Sequence, residues 1–169
     1  MRSGWHRNRH GIAGWSRILR RELATAPAGT VTLLSAHSLP ERLRAAGDPY
    51  PEFLTDAAGL LAEATRPLEG DFTYQSAGNT TEPWLRPDIT EKIVAWRARG
   101  HPEQLIAPIG FVFEHLEVLY DLDHVVRRFA EVHGVRYRRT PMPNEDDLVV
   151  ESLREVALNG VAPPPGHDR

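Results

Sequence analysis

Four short apolar runs, each separated from the next by a longer segment of helical periodicity, do most to fix what this chain can fold into. Val31-Thr-Leu-Leu-Ser-Ala36 is β-branched at its start and apolar through its middle, the pattern of a strand buried on both faces. Asp71 to Gln75, Gln104 to Ile109 and Val135 to Arg139 read as the second, third and fourth strands. Pro51 opens a helix running to about Thr65, and Ile89 to Arg99 is a helix that stops at Gly100. From Glu114 to His133 the set Leu116, Leu119, Leu122, Val126 and Phe129 predicts one long amphipathic helix, ended by Gly134. A last helix is expected from about Glu145 to Leu158. Strands separated in this way by helices cannot join as hairpins. The expectation is an α/β fold: a four-stranded parallel sheet flanked by helices, with right-handed crossovers.

The segment ahead of the first strand differs in charge. Before Glu22 there are six arginines, two histidines and no acid. Ile12, Trp15, Leu19 and Leu23 recur at helical spacing, so residues 1–30 read as a basic amphipathic helix leading in, with an apolar stripe that must pack on something. Residues 31–160 then form the α/β domain, and 161–169, opening Val-Ala-Pro-Pro-Pro, are expected to be disordered. No cleavable apolar core follows the early charges, so a cytoplasmic location is expected. No run approaches the roughly 18 apolar residues of a membrane span. A formal charge of −3 argues against nucleic acid as a partner.

Cysteine is absent, which removes disulfides, thiolate zinc sites, Cys-held clusters and a thiol nucleophile. Any metal chemistry must use histidine and carboxylate. The basic residues are nineteen arginines and the single Lys92, which leaves little room for Schiff-base chemistry. There is no Gly-rich dinucleotide fingerprint, Walker loop, nucleophile elbow or His-Glu-x-x-His pair.

An open parallel sheet binds ligands beyond the carboxyl ends of its strands, where strand order reverses. Those ends carry His37, Gln75-Ser76, and the run Gly110 to Glu117 that includes Glu114, His115 and Glu117. A histidine and a carboxylate projecting from different strands onto one edge suit a divalent cation or a proton transfer. A strand-end histidine can equally be a hydrogen-bonded structural residue. Glu117, Asp121 and His124 fall at i, i+4 and i+7, on one polar helix face that can be a ligand stripe or a solvated surface. Trp84 and Trp96 can line a flat-ligand pocket or fill core, and Asn79 to Trp84 can be a binding loop or a plain connection.

Read in order, several motifs resemble one family. They are Ser35-Ala-His-Ser-Leu-Pro40, Gly47-Asp-Pro-Tyr-Pro51, Tyr74-Gln-Ser-Ala-Gly-Asn-Thr80, Glu82-Pro-Trp-Leu85, Pro108-Ile-Gly-Phe-Val112, Glu114-His-Leu-Glu-Val-Leu-Tyr-Asp121 and Met142-Pro-Asn144. Together they are similar to successive signatures of ferrochelatase, over about residues 5–158, and the Gly78-Asn79-Thr80 loop is closest to the bacterial enzymes that metallate coproporphyrin III. The resemblance implies a chelatase-like Rossmann-type domain, a lyase-class enzyme, and insertion of Fe²⁺ into a porphyrin, coproporphyrin III or protoporphyrin IX, during haem biosynthesis. No cofactor is consumed; Fe²⁺ is the substrate metal. It also implies that His37 and Glu117 face the porphyrin cleft as the catalytic and metal-holding residues, with Asp121 as a possible outer member. Family members are about twice as long and hold the porphyrin between two similar domains, of which this chain resembles the second. The partners implied are the porphyrin, Fe²⁺, and either a separate chelatase domain or a second copy of this chain. A non-catalytic metal- or tetrapyrrole-binding half-domain, or a fragment that needs a separate N-terminal half, is the alternative.

Overall fold

In the computed structural model, residues 4–159 are described; the tail expected to be disordered lies outside them. After a single 3₁₀ turn, Gly4–Arg7, the elements run α1 (Arg9–Ala24), β1 (Val31–His37), α2 (Glu41–Ala45), α3 (Tyr50–Ala64), β2 (Gly70–Gln75), α4 (Ile89–Ala98) and β3 (Glu103–Ala107). A π-helix (Glu117–Val126) then leads into α5 (Arg127–Val132), β4 (Arg136–Arg139) and α6 (Asp147–Asn159). Every strand pair is parallel, in the order β2-β1-β3-β4. The α/β expectation therefore holds, with α2 as one short element that the sequence pattern did not show.

Strand order explains where the helices lie. The chain steps from β1 to β2 on one side, then α4 carries it back past β1 to β3. Right-handed crossovers in opposite directions put α3 on one face of the sheet and α4 with α5 on the other. α1 and α6 join the α3 face. Val31 and Leu33 of β1 are fully buried, as are Leu105 and Ile106 of β3, so the central strands are covered on both sides. α4 begins with a reciprocal cap: the Asp88 carboxylate accepts the Thr90 amide at 2.8 Å, and the Glu91 carboxylate accepts the Asp88 amide at 3.0 Å.

The apolar stripe of α1 finds its cover inside the chain. Trp15 and Leu19 are buried and Ile12 is partly so, against the core and against α6. A Cβ on Gly14 would come within 2.7 Å of Val149, so this glycine sets how closely α6 approaches. Polar ties flank the contact. Arg17 meets Asp146 at 2.5 Å, and Asn8 Nδ2 donates to Glu155 at 2.9 Å. The stripe of the first helix is thus covered in part by the last, whose Val150, Leu153 and Leu158 stay exposed.

The long helix expected from Glu114 differs more. Residues 111–115 are irregular, and after Leu116 the ten residues Glu117–Val126 wind with i→i+5 hydrogen bonds before α-geometry resumes at Arg127. The wider turn brings every fourth residue to the core: Val118, Leu122 and Val126 are buried. Leu116 and Leu119, assigned inward by a 3.6-residue period, are instead 77% and 47% exposed. The rest of the stripe, Leu122 and Val126, lies in the core in both windings.

Candidate metal centre

Strand order reverses between β1 and β3, and the site forms where those two strands end. His37 is the last residue of β1, paired in register with Gln75 of β2. Ser38, the next residue, is locked by its amide to Gln75 O at 2.7 Å and by its hydroxyl to Leu85 O at 3.0 Å. Gln75, itself wholly buried, accepts the Ser35 hydroxyl at 2.7 Å. β3 leaves the sheet at Ala107 and turns through Pro108 to Gly110, whose amide returns to Ser35 O at 3.1 Å. A Cβ at Gly110 would lie 2.6 Å from the Ala36 Cβ and 2.9 Å from its Cα, so only glycine lets this turn close on β1. The turn sends the chain toward Glu117, the first residue of the π-helix.

The outcome is one histidine and one carboxylate face to face. His37 Nδ1 stands 3.5 Å from Glu117 Oε2, with the two side chains 26% and 48% exposed. Nδ1 is shielded from solvent and has no hydrogen-bond partner. Two ligands each about 2.1 Å from one metal lie about 3.0–3.4 Å apart for octahedral to tetrahedral angles, close to this spacing. Neutral imidazole plus carboxylate is a donor set suited to Fe²⁺.

Tyr50, at the start of α3, braces the histidine from the other side. Its hydroxyl donates to His37 O at 2.9 Å. Burial, reinforced by Tyr74, Glu117 and Asp48, pushes its ionisation well above the ordinary tyrosine range, so it stays a neutral donor. Its role was missed in the sequence; the Gly-Asp-Pro-Tyr-Pro run was the available signal. Beside it lies a cavity of about 340 Å³ whose walls include Trp15, Leu39, Phe53, Ile109 and Gly110. Near Glu117 in the chain, Phe113, Leu116, Leu119 and Tyr120 are exposed apolar side chains, and Val125 follows further along the π-helix.

The other candidates separate clearly. Among the described residues no group of three or more His, Asp and Glu side chains is placed to hold one metal, so Asp121 and His124 do not complete a larger ligand set with the pair. His124 is exposed with its ring 5.5 Å from Tyr120, and Asp121 is half-buried. Trp96 is core, its indole donating to Asp71 at 2.9 Å. Trp84 closes its own loop: it donates to Thr80 Oγ1 at 2.8 Å and covers Gly78, where a Cβ would meet the indole at 2.4 Å. That loop is bridged to the segment after His37, through Leu85 N to Leu39 O at 2.8 Å and Glu41 N to Pro83 O at 2.9 Å.

A family model described as ferrochelatase matches residues 2–160. The chain belongs to the ferrochelatase family. It is 44% identical over 133 residues to the coproporphyrin III ferrochelatase of Geobacillus thermodenitrificans, a match covering 78% of this chain and 42% of that one. Against the Geobacillus kaustophilus protein of the same name it is 38% identical over 159 residues, 91% of this chain and 50% of the relative. The chain thus spans about half the length of these curated ferrochelatases. Among solved structures, a protein titled putative cobalamin biosynthesis CbiX from Marinobacter aquaeolei VT8 shares the fold, with a TM-score of 0.56 at 16% identity, over 76% of this chain and 93% of that one. Among the described residues, no helix of this ferrochelatase-family chain is long and apolar enough to cross a membrane.

Proposed function

We propose that this chain is the metal-handling half of a ferrochelatase, which inserts Fe²⁺ into a porphyrin in the cytoplasm during haem biosynthesis. The carrying observation is the His37–Glu117 pair, 3.5 Å apart at the strand-order reversal, with exposed apolar side chains in the segment that carries Glu117. The resemblance to coproporphyrin III ferrochelatases favours that porphyrin over protoporphyrin IX. Fe²⁺ is substrate here, and no cofactor is consumed. Insertion exchanges one Fe²⁺ for the two pyrrole N–H protons of the macrocycle, so the site must release a cation and accept protons. His37 and Glu117 serve both needs. As neutral imidazole and carboxylate they hold the ion; once it leaves, each has a free basic atom for a proton. The exposed apolar side chains offer a flat macrocycle a water-excluding face on this side. A second chelatase domain, or a second copy of the chain, supplies the other face.

One observation favours a second reading. The relatives it matches are about twice as long, so the half described here can bind metal or tetrapyrrole without turning it over. Visible spectra of purified chain with coproporphyrin III and Fe²⁺ or Zn²⁺ separate the two. Metalloporphyrin accumulating beyond one equivalent supports the enzyme. A one-to-one complex without further product supports the binding module.

A further inference from the structure

The reading of Glu117 as half of a metal and proton pair requires its carboxylate to stay within reach of His37. Beyond that approach, the Glu117 side chain makes no hydrogen bond among the described residues, so its position depends on the backbone that carries it. We infer that Arg139, at the end of β4, is the positioning residue for Glu117, because its guanidinium ties the chain down on both sides of Glu117 at once. Toward the C-terminus, Nε and Nη2 donate to the two oxygens of Asp123 at 2.7 Å each, in the middle of the π-helix. Toward the N-terminus, Nη2 also donates to Glu114 at 3.2 Å, in the irregular segment that leads into it. The arginine is itself anchored to the Thr140 carbonyl at 2.7 Å, and its side chain is only 9% exposed. Asn144 repeats the tie on the N-terminal side: its Oδ1 accepts the Glu114 amide at 2.9 Å.

Physical chemistry gives this arrangement its purpose. A ten-residue π-helix is an unusual winding that needs outside support to persist. A part-buried bidentate arginine–carboxylate pair fixes register more than it adds stability, since desolvation offsets part of the attraction. Lysine carries the same charge without the fork, and cannot hold both Asp123 oxygens and Glu114 together. Freed from the clamp, the π-helix relaxes toward ordinary winding. Its first residue then turns away from His37. The inference rests on the proposed role of Glu117 and adds the element that keeps that residue in place.

The test uses the full chain and Co²⁺ as a spectroscopic probe, with R139Q, R139K, E117Q and the R139Q/E117Q double variant. Far-UV circular dichroism checks the fold, and amide hydrogen exchange reads residues 117–127. R139Q and R139K are each expected to speed exchange in that segment, leave β1 unchanged, and weaken Co²⁺ binding about tenfold. The double variant should bind no more weakly than E117Q alone, because both changes remove the same carboxylate; a general loss of stability would instead add. Faster exchange with Co²⁺ binding unchanged, or additive losses, would overturn the inference. If R139Q does not fold, Glu114→Gln releases one arm from the exposed side. It should weaken Co²⁺ binding about threefold, and no change would overturn the inference. If E117Q itself leaves Co²⁺ binding unaltered, the metal reading of the pair fails. The exchange data then decide the clamp alone, and unchanged protection in R139Q and R139K overturns it.

Discussion

His37 Nδ1 and Glu117 Oε2 face each other at 3.5 Å across the reversal point of the sheet, near but not hydrogen-bonded. That gap is too wide for a strong hydrogen bond and wide enough for an ion to lie between them. His37→Ala should therefore abolish metal insertion while leaving the fold intact, since the residue ends a strand held by Ser38, Gln75 and Tyr50 rather than by the imidazole. Zn²⁺ insertion into coproporphyrin, followed by absorbance, is the measurement. Activity within about tenfold of the parent would remove His37 from the catalytic role.

Winding in the π-helix predicts an unusual stability pattern. Val118→Ala should cost about 2 kcal/mol, because Val118 is fully buried, while Leu116→Ala should change stability by no more than about 0.5 kcal/mol. Urea unfolding measures both. The stripe read from the sequence, which counts Leu116 as inward and leaves Val118 out, predicts the opposite ranking.

Gly110→Ala places a methyl against the backbone and Cβ of Ala36, where nothing flexible can yield. A loss of about 1–3 kcal/mol is expected. It should come with weaker metal insertion than stability alone explains, because the displaced strand carries His37. Comparing urea midpoints with Zn²⁺ insertion rates checks the pairing of effects.

The joint between α1 and α6 should be acid-sensitive. Burial works against ionisation of Asp146, but the Arg17 hydrogen bond and the Val149 and Leu148 amides outweigh it and hold the carboxyl below its ordinary range. A depressed native pKa contributes stability that is present above the unfolded value of about 3.9 and lost as pH falls through the native one. Asp146→Ala should cost about 1 kcal/mol near neutrality and flatten the decline in stability below about pH 4. Thermal unfolding of both proteins from pH 7 to pH 3 tests this; parallel curves would contradict it.

How much was legible follows from which interactions act locally. The four strands and most helices were readable because apolar period and breakers such as Gly100 and Gly134 are short-range signals. His37 and Glu117, which the structure brings within 3.5 Å of each other, stood out as candidates because a parallel sheet concentrates ligands at one edge, and because several ordered motifs resemble one family. The π-helix was not legible. Leu116 and Leu119 fit a 3.6-residue stripe, no local signal marks the wider winding, and groups that meet it, such as Arg139, come from distant elements. Tyr50 escaped for a related reason: its contact is with a main-chain carbonyl thirteen residues away. Trp84 and Trp96 look alike in sequence and separate only once their indole partners are known.

The antiparallel embrace of α1 and α6 has an architectural consequence. Asn8 touches Glu155 while Arg17 touches Asp146, so the chain enters and leaves the domain at a single corner. His6 lines the same cavity as Leu39, Tyr50 and Gly110, which puts that corner beside the cavity. Anything joined at either end would be tethered beside that cavity, with both attachment points on one side of the domain.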